Sequence, residues 1–167
     1  MSAIFANILK QADIFYELTP TQLELIASLC AERRANTGEM IFMENSGSDE
    51  LYVIAQGEVE ILVDPSLVGD GVVGSPGSLT IATLRRGQSF GEVALVDEGL
   101  RSASARCAQH NTHLLVIPRD KLMVLCDAHP QLGYRLMRNL AADLALKIRS
   151  TDLRIREQLL YGARRRG

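Results

Sequence analysis

The sequence predicts an α+β domain in which helices at both ends flank a central run of short strands. Three observations predict it. Apolar residues recur at helical spacing up to about residue 34 and again after Pro118. Between those limits they alternate or form compact runs. Turn-forming Gly, Asn, Asp and Pro residues punctuate the middle at intervals suited to a β sandwich or barrel. A length of 167 residues is enough for one core with an appended helix.

Ile4, Phe5, Ile8 and Leu9 form the apolar stripe of a first helix. A second opens at Thr19-Pro20, with Thr19 as N-cap and Pro20 at the first helical position, where its missing N–H costs nothing. Leu23, Ile26, Ala27 and Cys30 line its buried side, and Arg33 and Arg34 are expected at its C-terminal end. Strands are expected at Met40-Ile41-Phe42, from Leu51 to Ile54, and at Val59, Ile61 and Val63 after the break at Gly57. Residues 64–78, rich in Gly, Pro, Ser and Asp, read as a hairpin loop. Thr80 to Leu84, Ser102 to Ala108 and His113 to Ile117 complete the strands, with a turn at Arg86-Gly87.

After Pro118 the helical period returns from Arg119 to Asp127, and His129-Pro130 marks a boundary. Residues 131–160 contain no proline and read as one long helix. A heptad seam can be drawn through Tyr134, Ala141, Ile148 and Ile155, with Met137, Leu144, Thr151 and Gln158 three residues beyond each. It supports a short helix-pair homodimer; packing on the chain's own barrel is the alternative, and each can hold for a different stretch.

Composition excludes several classes. Apolar residues are 47% and charged residues 23%, a globular mix. The net charge of −2 argues against broad nucleic-acid binding, and Arg164-Arg165-Arg166 reads as a solvated helix end. Cys30, Cys107 and Cys126 form no CxxC pair and sit among apolar neighbours, as reduced thiols in the cytoplasm do. No signal peptide and no membrane span are expected. His110, His113 and His129 form no recognisable metal site with carboxylates, and His110 and His113 are expected in a surface turn. Ser102 and Ser104 have no base by motif, so neither a catalytic residue nor a cofactor is expected.

The informative stretch runs from Gly87 to Ala103. Gly91 permits a close backbone approach. Glu92-Val93-Ala94-Leu95 can form a single helical turn whose first N–H groups are free to cradle an anion. Arg101 offers a planar fork of donors that matches phosphate oxygens. Each feature alone is ordinary: a Gly beside a short helix is commonly a turn, and most arginines are solvated.

Together, Phe90-Gly91-Glu92-Val93-Ala94-Leu95 and Arg101-Ser102-Ala103 closely resemble the phosphate-binding cassette of cyclic-nucleotide-binding domains. Residues 38–42, 49–54 and 57–61 are similar to the early strands and glycine turns of that family, so the resemblance covers most of residues 10–130. It implies an antiparallel β-roll, a jelly-roll-like barrel, over residues 1–130 with the N-terminal helices, and a lid or dimerisation helix with tail over 131–167. It implies that Arg101 pairs with the exocyclic phosphate oxygens, that backbone N–H groups around Ala94 and from Ser102 or Ala103 assist, and that Glu92 accepts the ribose 2′-OH. Glu92 and Arg101 are expected to stabilise each other when the site is empty.

Leu100 stands where many family members have Pro; bacterial members of the catabolite activator type also lack that Pro, so the Leu is expected to be tolerated. Ser102 follows the Arg as in that cyclic AMP receptor, which favours cyclic AMP; cyclic GMP is the alternative ligand. Arg138, Lys147 and Thr151 are the candidate lid over the base, although a solvated or dimer-facing role suits each. Phe90 and Leu95 are candidate apolar relays from cassette to helix. Bacterial activators continue into a helix-turn-helix; with the last residue at Gly167, no DNA-binding domain is expected here, and output passes to an unidentified downstream protein. The competing class is a degenerate scaffold that has lost ligand binding.

Overall fold

The computed structural model describes residues 1–47, 49–64, 77–97 and 99–164. Helices α1 (Ser2–Leu9) and α2 (Pro20–Ala27) open the chain, with a 3-10 turn at Asp13–Phe15 between them. Thr19 caps α2 as the sequence implies. Its hydroxyl accepts from the Gln22 N–H, and the Gln22 side chain accepts from the Thr19 N–H in return.

Eight strands follow among the described residues: β1 (Ala31–Ala35), β2 (Met40–Phe42), β3 (Glu50–Gln56), β4 (Glu58–Val63), β5 (Leu79–Arg85), β6 (Ser89–Phe90), β7 (Ser104–Cys107) and β8 (Thr112–Pro118). They form two four-stranded antiparallel sheets, β1-β8-β3-β6 and β2-β7-β4-β5. The single-turn helix α3 (Val93–Val96) lies between β6 and β7. Helices α4 (Arg119–Ala128) and α5 (Pro130–Arg164) close the chain.

The unbroken apolar runs of β3 and β8 have a direct cause. Leu51 and Val53 of β3, and Leu115 and Ile117 of β8, face a core built with Leu9, Phe15, Ile26, Leu122 and Leu136 from the helices. Tyr52 and Ile54, and Leu114 and Val116, face the opposite way into the roll, against Ile41, Val59, Leu84, Phe90 and Ala105. A strand buried on both faces has no polar side to alternate with. Gly57 makes the β3–β4 turn at φ +95°, where an added Cβ would lie 2.2 Å from the Thr112 Oγ1.

Three expectations are corrected. Arg33 and Arg34 are not the end of a helix. Helix α2 stops at Ala27, and both arginines belong to β1, whose pairing with β8 overrides local helix preference. Arg33 then donates to the carbonyls of Ile41 and Met40, at 3.1 and 3.3 Å. His113 is not in a turn: it lies in β8, 2.7 Å from a Glu32 carboxylate oxygen, while His110 does sit in the connecting turn. Ser102 and Ala103 precede the last-but-one strand rather than starting it. Strand β6, only two residues long, carries too little pattern to be read in advance.

The long helix divides its two apolar sets. Leu132, Leu136 and Leu140 are buried in the helical core, with Met137 and Leu144 packed beside them. Tyr134, Ile148 and Ile155 are exposed, as are Leu146, Leu153, Leu159 and Tyr161 farther along. Residues 65–76 of the expected hairpin loop, and Arg165 and Arg166 of the basic tail, lie outside the described residues. Among the described residues, no helix is long and apolar enough to cross a membrane.

Candidate functional site

Gly91 is the pivot of the site. It follows β6, which is held against β3 with Phe90 opposite Tyr52. At φ +77° it adopts a left-handed conformation, and a Cβ there would come within 2.5 Å of Arg101 Nη1 and 2.9 Å of the Glu50 carbonyl oxygen. The glycine therefore serves both its own backbone and the arginine beside it. The α3 turn closes with Leu95 N–H donating to Glu92 O at 3.0 Å and Asp97 N–H donating to Val93 O at 2.8 Å. Val93 and Ala94 stand at its start, where a helix has no internal acceptor for its amides.

Arg101 is brought in by its own backbone. Its N–H donates to Ser46 O at 2.9 Å, and its carbonyl accepts from the Asn45 N–H at 2.8 Å. The side chain is only 6% exposed at the residue level and sits over the Phe42 ring, its Cζ 4.1 Å from the centroid. Nη2 donates to Glu50 O at 2.9 Å and Nη1 to Gly91 O at 3.4 Å. The buried Nε has no hydrogen-bond partner among the described residues. Burial lowers the guanidinium pKa, and Tyr52, Glu50, Asp49 and Glu92 offset part of that. Phe42, Tyr52 and Phe90 form an aromatic cluster, with Tyr52 and Phe90 stacked at 5.0 Å. Burial, then the Glu50 contact, pushes the Tyr52 phenol up to about 12, so it stays protonated.

Glu92 is equally buried, at 6% exposure, but its ion-pair partner is not Arg101. Lys147 of α5 reaches it at 2.5 Å, and the same ammonium is 2.8 Å from Asp143. Burial pulls the Lys147 ammonium pKa down, but the charges and hydrogen bonds of Glu92 and Asp143 outweigh it, and the net direction is up. The expected mutual pairing of Glu92 and Arg101 is thus replaced by two separate solutions. The arginine is held by carbonyls and a ring, and the carboxylate by a lysine 55 residues away. Sequence reasoning named Lys147 but not this role, because nothing local ties it to Glu92.

The other candidates divide. Thr151 is one turn beyond Lys147, on the same side of α5, and its hydroxyl donates to Lys147 O at 3.0 Å. Arg138 is exposed and, nine residues before Lys147, lies about half a turn round the helix, so the structure does not bring it to the site. Ser102 is exposed and Ala103 half-buried. Val93 is exposed, and Leu95 is buried in the helical core with Leu136 and Leu140. Phe90 packs in the roll instead, so of the two expected relays only Leu95 shares a core with α5. Helix α5 also leans on the roll through Arg154, which donates to the Ile81 carbonyl, and on the N-terminal segment through Asn139, which donates to Ile14 O and Tyr16 O. Among the described residues, no cluster of His, Cys, Asp and Glu could hold a metal ion.

A buried arginine, a left-handed glycine and the start of a short helix are thus brought together beside the β-roll. Comparison with known proteins gives the class: residues 32–129 match the cyclic nucleotide-binding domain family. The Cyclic AMP receptor protein of Thermus thermophilus is 34% identical over 147 residues, which are 88% of this chain and 62% of that protein. The crystal structure of Thermus thermophilus Catabolite Activator Protein has a TM-score of 0.69 at 32% identity, covering 86% of this chain and 62% of that one. A cyclic nucleotide-binding domain from Methylobacillus flagellatus gives a TM-score of 0.79 at 25% identity, covering 94% and 85%. The chain belongs to the cyclic nucleotide-binding domain family. It spans 62% of the length of the curated receptor it matches.

Proposed function

We propose that this domain is a regulatory sensor that binds a cyclic mononucleotide, cyclic AMP in preference to cyclic GMP, and catalyses nothing. The observation that carries this reading is the state of Arg101. A guanidinium has five N–H donors, and two are committed to carbonyls; the buried Nε has no partner among the described residues. Leaving a buried charged donor unmade is costly, and an anion in the roll removes that cost.

In this reading Arg101 pairs with the exocyclic phosphate oxygens, assisted by backbone N–H groups at the start of α3. Glu92 accepts the ribose 2′-OH. Its carboxylate can take several donors, so it can hold Lys147 and the hydroxyl together or trade one for the other. Lys147 and Thr151 form the lid over the base. Ser102, where cyclic GMP-selective relatives have Thr, favours cyclic AMP, and the relative named as a cyclic AMP receptor supports the same choice. Because Lys147 ties α5 to Glu92, a ligand on Glu92 alters what holds the helix. That gives it a differential affinity for two positions of α5, which is what a switch requires. The signal passes from the nucleotide-binding unit, residues 1–130, to the helix and tail, residues 131–167. The exposed Ile148, Leu153, Ile155 and Leu159 support a homodimer or a downstream protein as recipient. The three free cysteines fit a cytoplasmic location.

A second reading is favoured by the same lysine: a scaffold whose site is plugged by its own helix. Calorimetric titration with cyclic AMP and cyclic GMP, with Arg101→Ala alongside, separates the two. Micromolar or tighter binding that Arg101→Ala loses supports the sensor. Well-folded protein that binds neither nucleotide supports the scaffold.

A further inference from the structure

We propose that Phe42 is a positioning residue for nucleotide binding, its ring forming the platform that holds the Arg101 guanidinium in line with the cyclic phosphate. This rests on the nucleotide-binding reading above. The starting point is a problem of electrostatics. Arg101 is more than nine-tenths buried and needs stabilisation, yet each N–H donor given to a protein group is one fewer for phosphate. A carboxylate partner would neutralise the charge and occupy the fork. The face of an aromatic ring stabilises a cation without taking a donor.

The structure is arranged in that way. Phe42 lies under the guanidinium at 4.1 Å, and the Tyr52 ring is farther off at 5.8 Å. Two carboxylates near the arginine are engaged elsewhere: the Glu50 side chain accepts the Tyr52 hydroxyl and Glu92 holds Lys147, while Glu50 meets Arg101 through its backbone carbonyl. Phe42 itself is fixed from three directions. The pairing register of β2 with β7 shifts between Met40 and Phe42, which turns the ring out of simple strand alternation. Tyr52 and Phe90 then flank it at 5.7 and 5.9 Å. The loop that follows grips the arginine's backbone through Asn45 and Ser46. One segment, residues 42–46, thus orients Arg101 at both ends.

The test is calorimetric titration with cyclic AMP of the wild-type protein, Phe42→Leu, Phe42→Tyr, Arg101→Ala, and protein carrying ring-fluorinated phenylalanine at position 42, each with its thermal midpoint. Phe42→Leu keeps an apolar side chain but loses the ring, and affinity falls about 5- to 30-fold. Phe42→Tyr stays within about two-fold of wild type. Fluorination keeps the shape but drains charge from the ring face, so affinity falls stepwise with fluorine content while the midpoint holds. The proposal is overturned if Phe42→Leu or the fluorinated protein binds as tightly as wild type while Arg101→Ala does not bind. It is equally overturned if Phe42→Tyr loses as much as Phe42→Leu at the same midpoint. If wild-type protein binds neither cyclic AMP nor cyclic GMP, titrated alongside, the functional reading itself falls, and the platform with it.

Discussion

Replacing Lys147 with methionine removes the ammonium that bridges Glu92 and Asp143 and leaves the apolar part of the side chain in place. At an effective dielectric constant of about 20, charges at the Glu92 distance attract by about 6–7 kcal/mol before any cost of burial. Most of that is returned. Glu92 is desolvated, at 8% side-chain exposure, whereas Lys147 keeps 37% and remains partly screened by water. Losing one partner of a fully buried pair costs about 3–5 kcal/mol; discounted for the lysine's exposure, Lys147→Met is expected to destabilise by about 1–2 kcal/mol. Glu92→Gln removes the other partner, and the double variant is expected to be less damaged than the sum of the singles by about 1 kcal/mol. Urea unfolding of the four proteins measures this coupling. Additive losses would mean that α5 does not rest on Glu92 in solution, and the switch derived from that contact would go with it.

Gly91→Ala puts a Cβ within 2.9 Å of the Glu50 carbonyl oxygen at a left-handed φ; we expect a stability loss of about 1–3 kcal/mol and at least about tenfold weaker cyclic AMP binding, read from melting and titration. The Lys147 pKa is raised above 10.5, so the stability it contributes is whole below about pH 10.5 and disappears as pH climbs through the higher folded value. Wild type and Lys147→Met should therefore differ in unfolding free energy at about pH 9 and converge as pH climbs through that higher value. Thr19→Ala breaks the reciprocal cap of α2, and should cost about 1 kcal/mol in thermal unfolding while leaving nucleotide affinity unchanged.

What could be read in advance follows the range of the interactions. The α2 cap is legible because all its atoms come from four consecutive residues. The inner strands are legible because burial on both faces writes itself as Leu51-Tyr52-Val53-Ile54 and Leu114-Leu115-Val116-Ile117. Gly91, Glu92 and Arg101 stand out through the resemblance of Phe90–Leu95 and Arg101–Ala103 to the cassette of the family, since each residue alone is ordinary. Arg33 and Arg34 misled because a charged edge strand such as Ala31–Ala35 owes its conformation to β8, more than 75 residues later. Lys147 on Glu92 and Phe42 under Arg101 were invisible as partnerships for the same reason. Each joins residues of unremarkable type across distant parts of the chain, and only the folded roll makes them neighbours.

The sheet β1-β8-β3-β6 has a consequence beyond its packing. It is a dividing wall with a separate hydrophobic compartment on each side, and the chain from Phe90 to Leu95 is a clasp at its β6 edge, with Phe90 seated in the roll and Leu95 among the helices. Substitutions deep in either compartment can therefore accumulate largely independently of the other. The lining of the roll can be retuned while the helical side keeps its packing, or the reverse. Phe90 and Leu95 are the exception, since the short chain between them ties one compartment to the other.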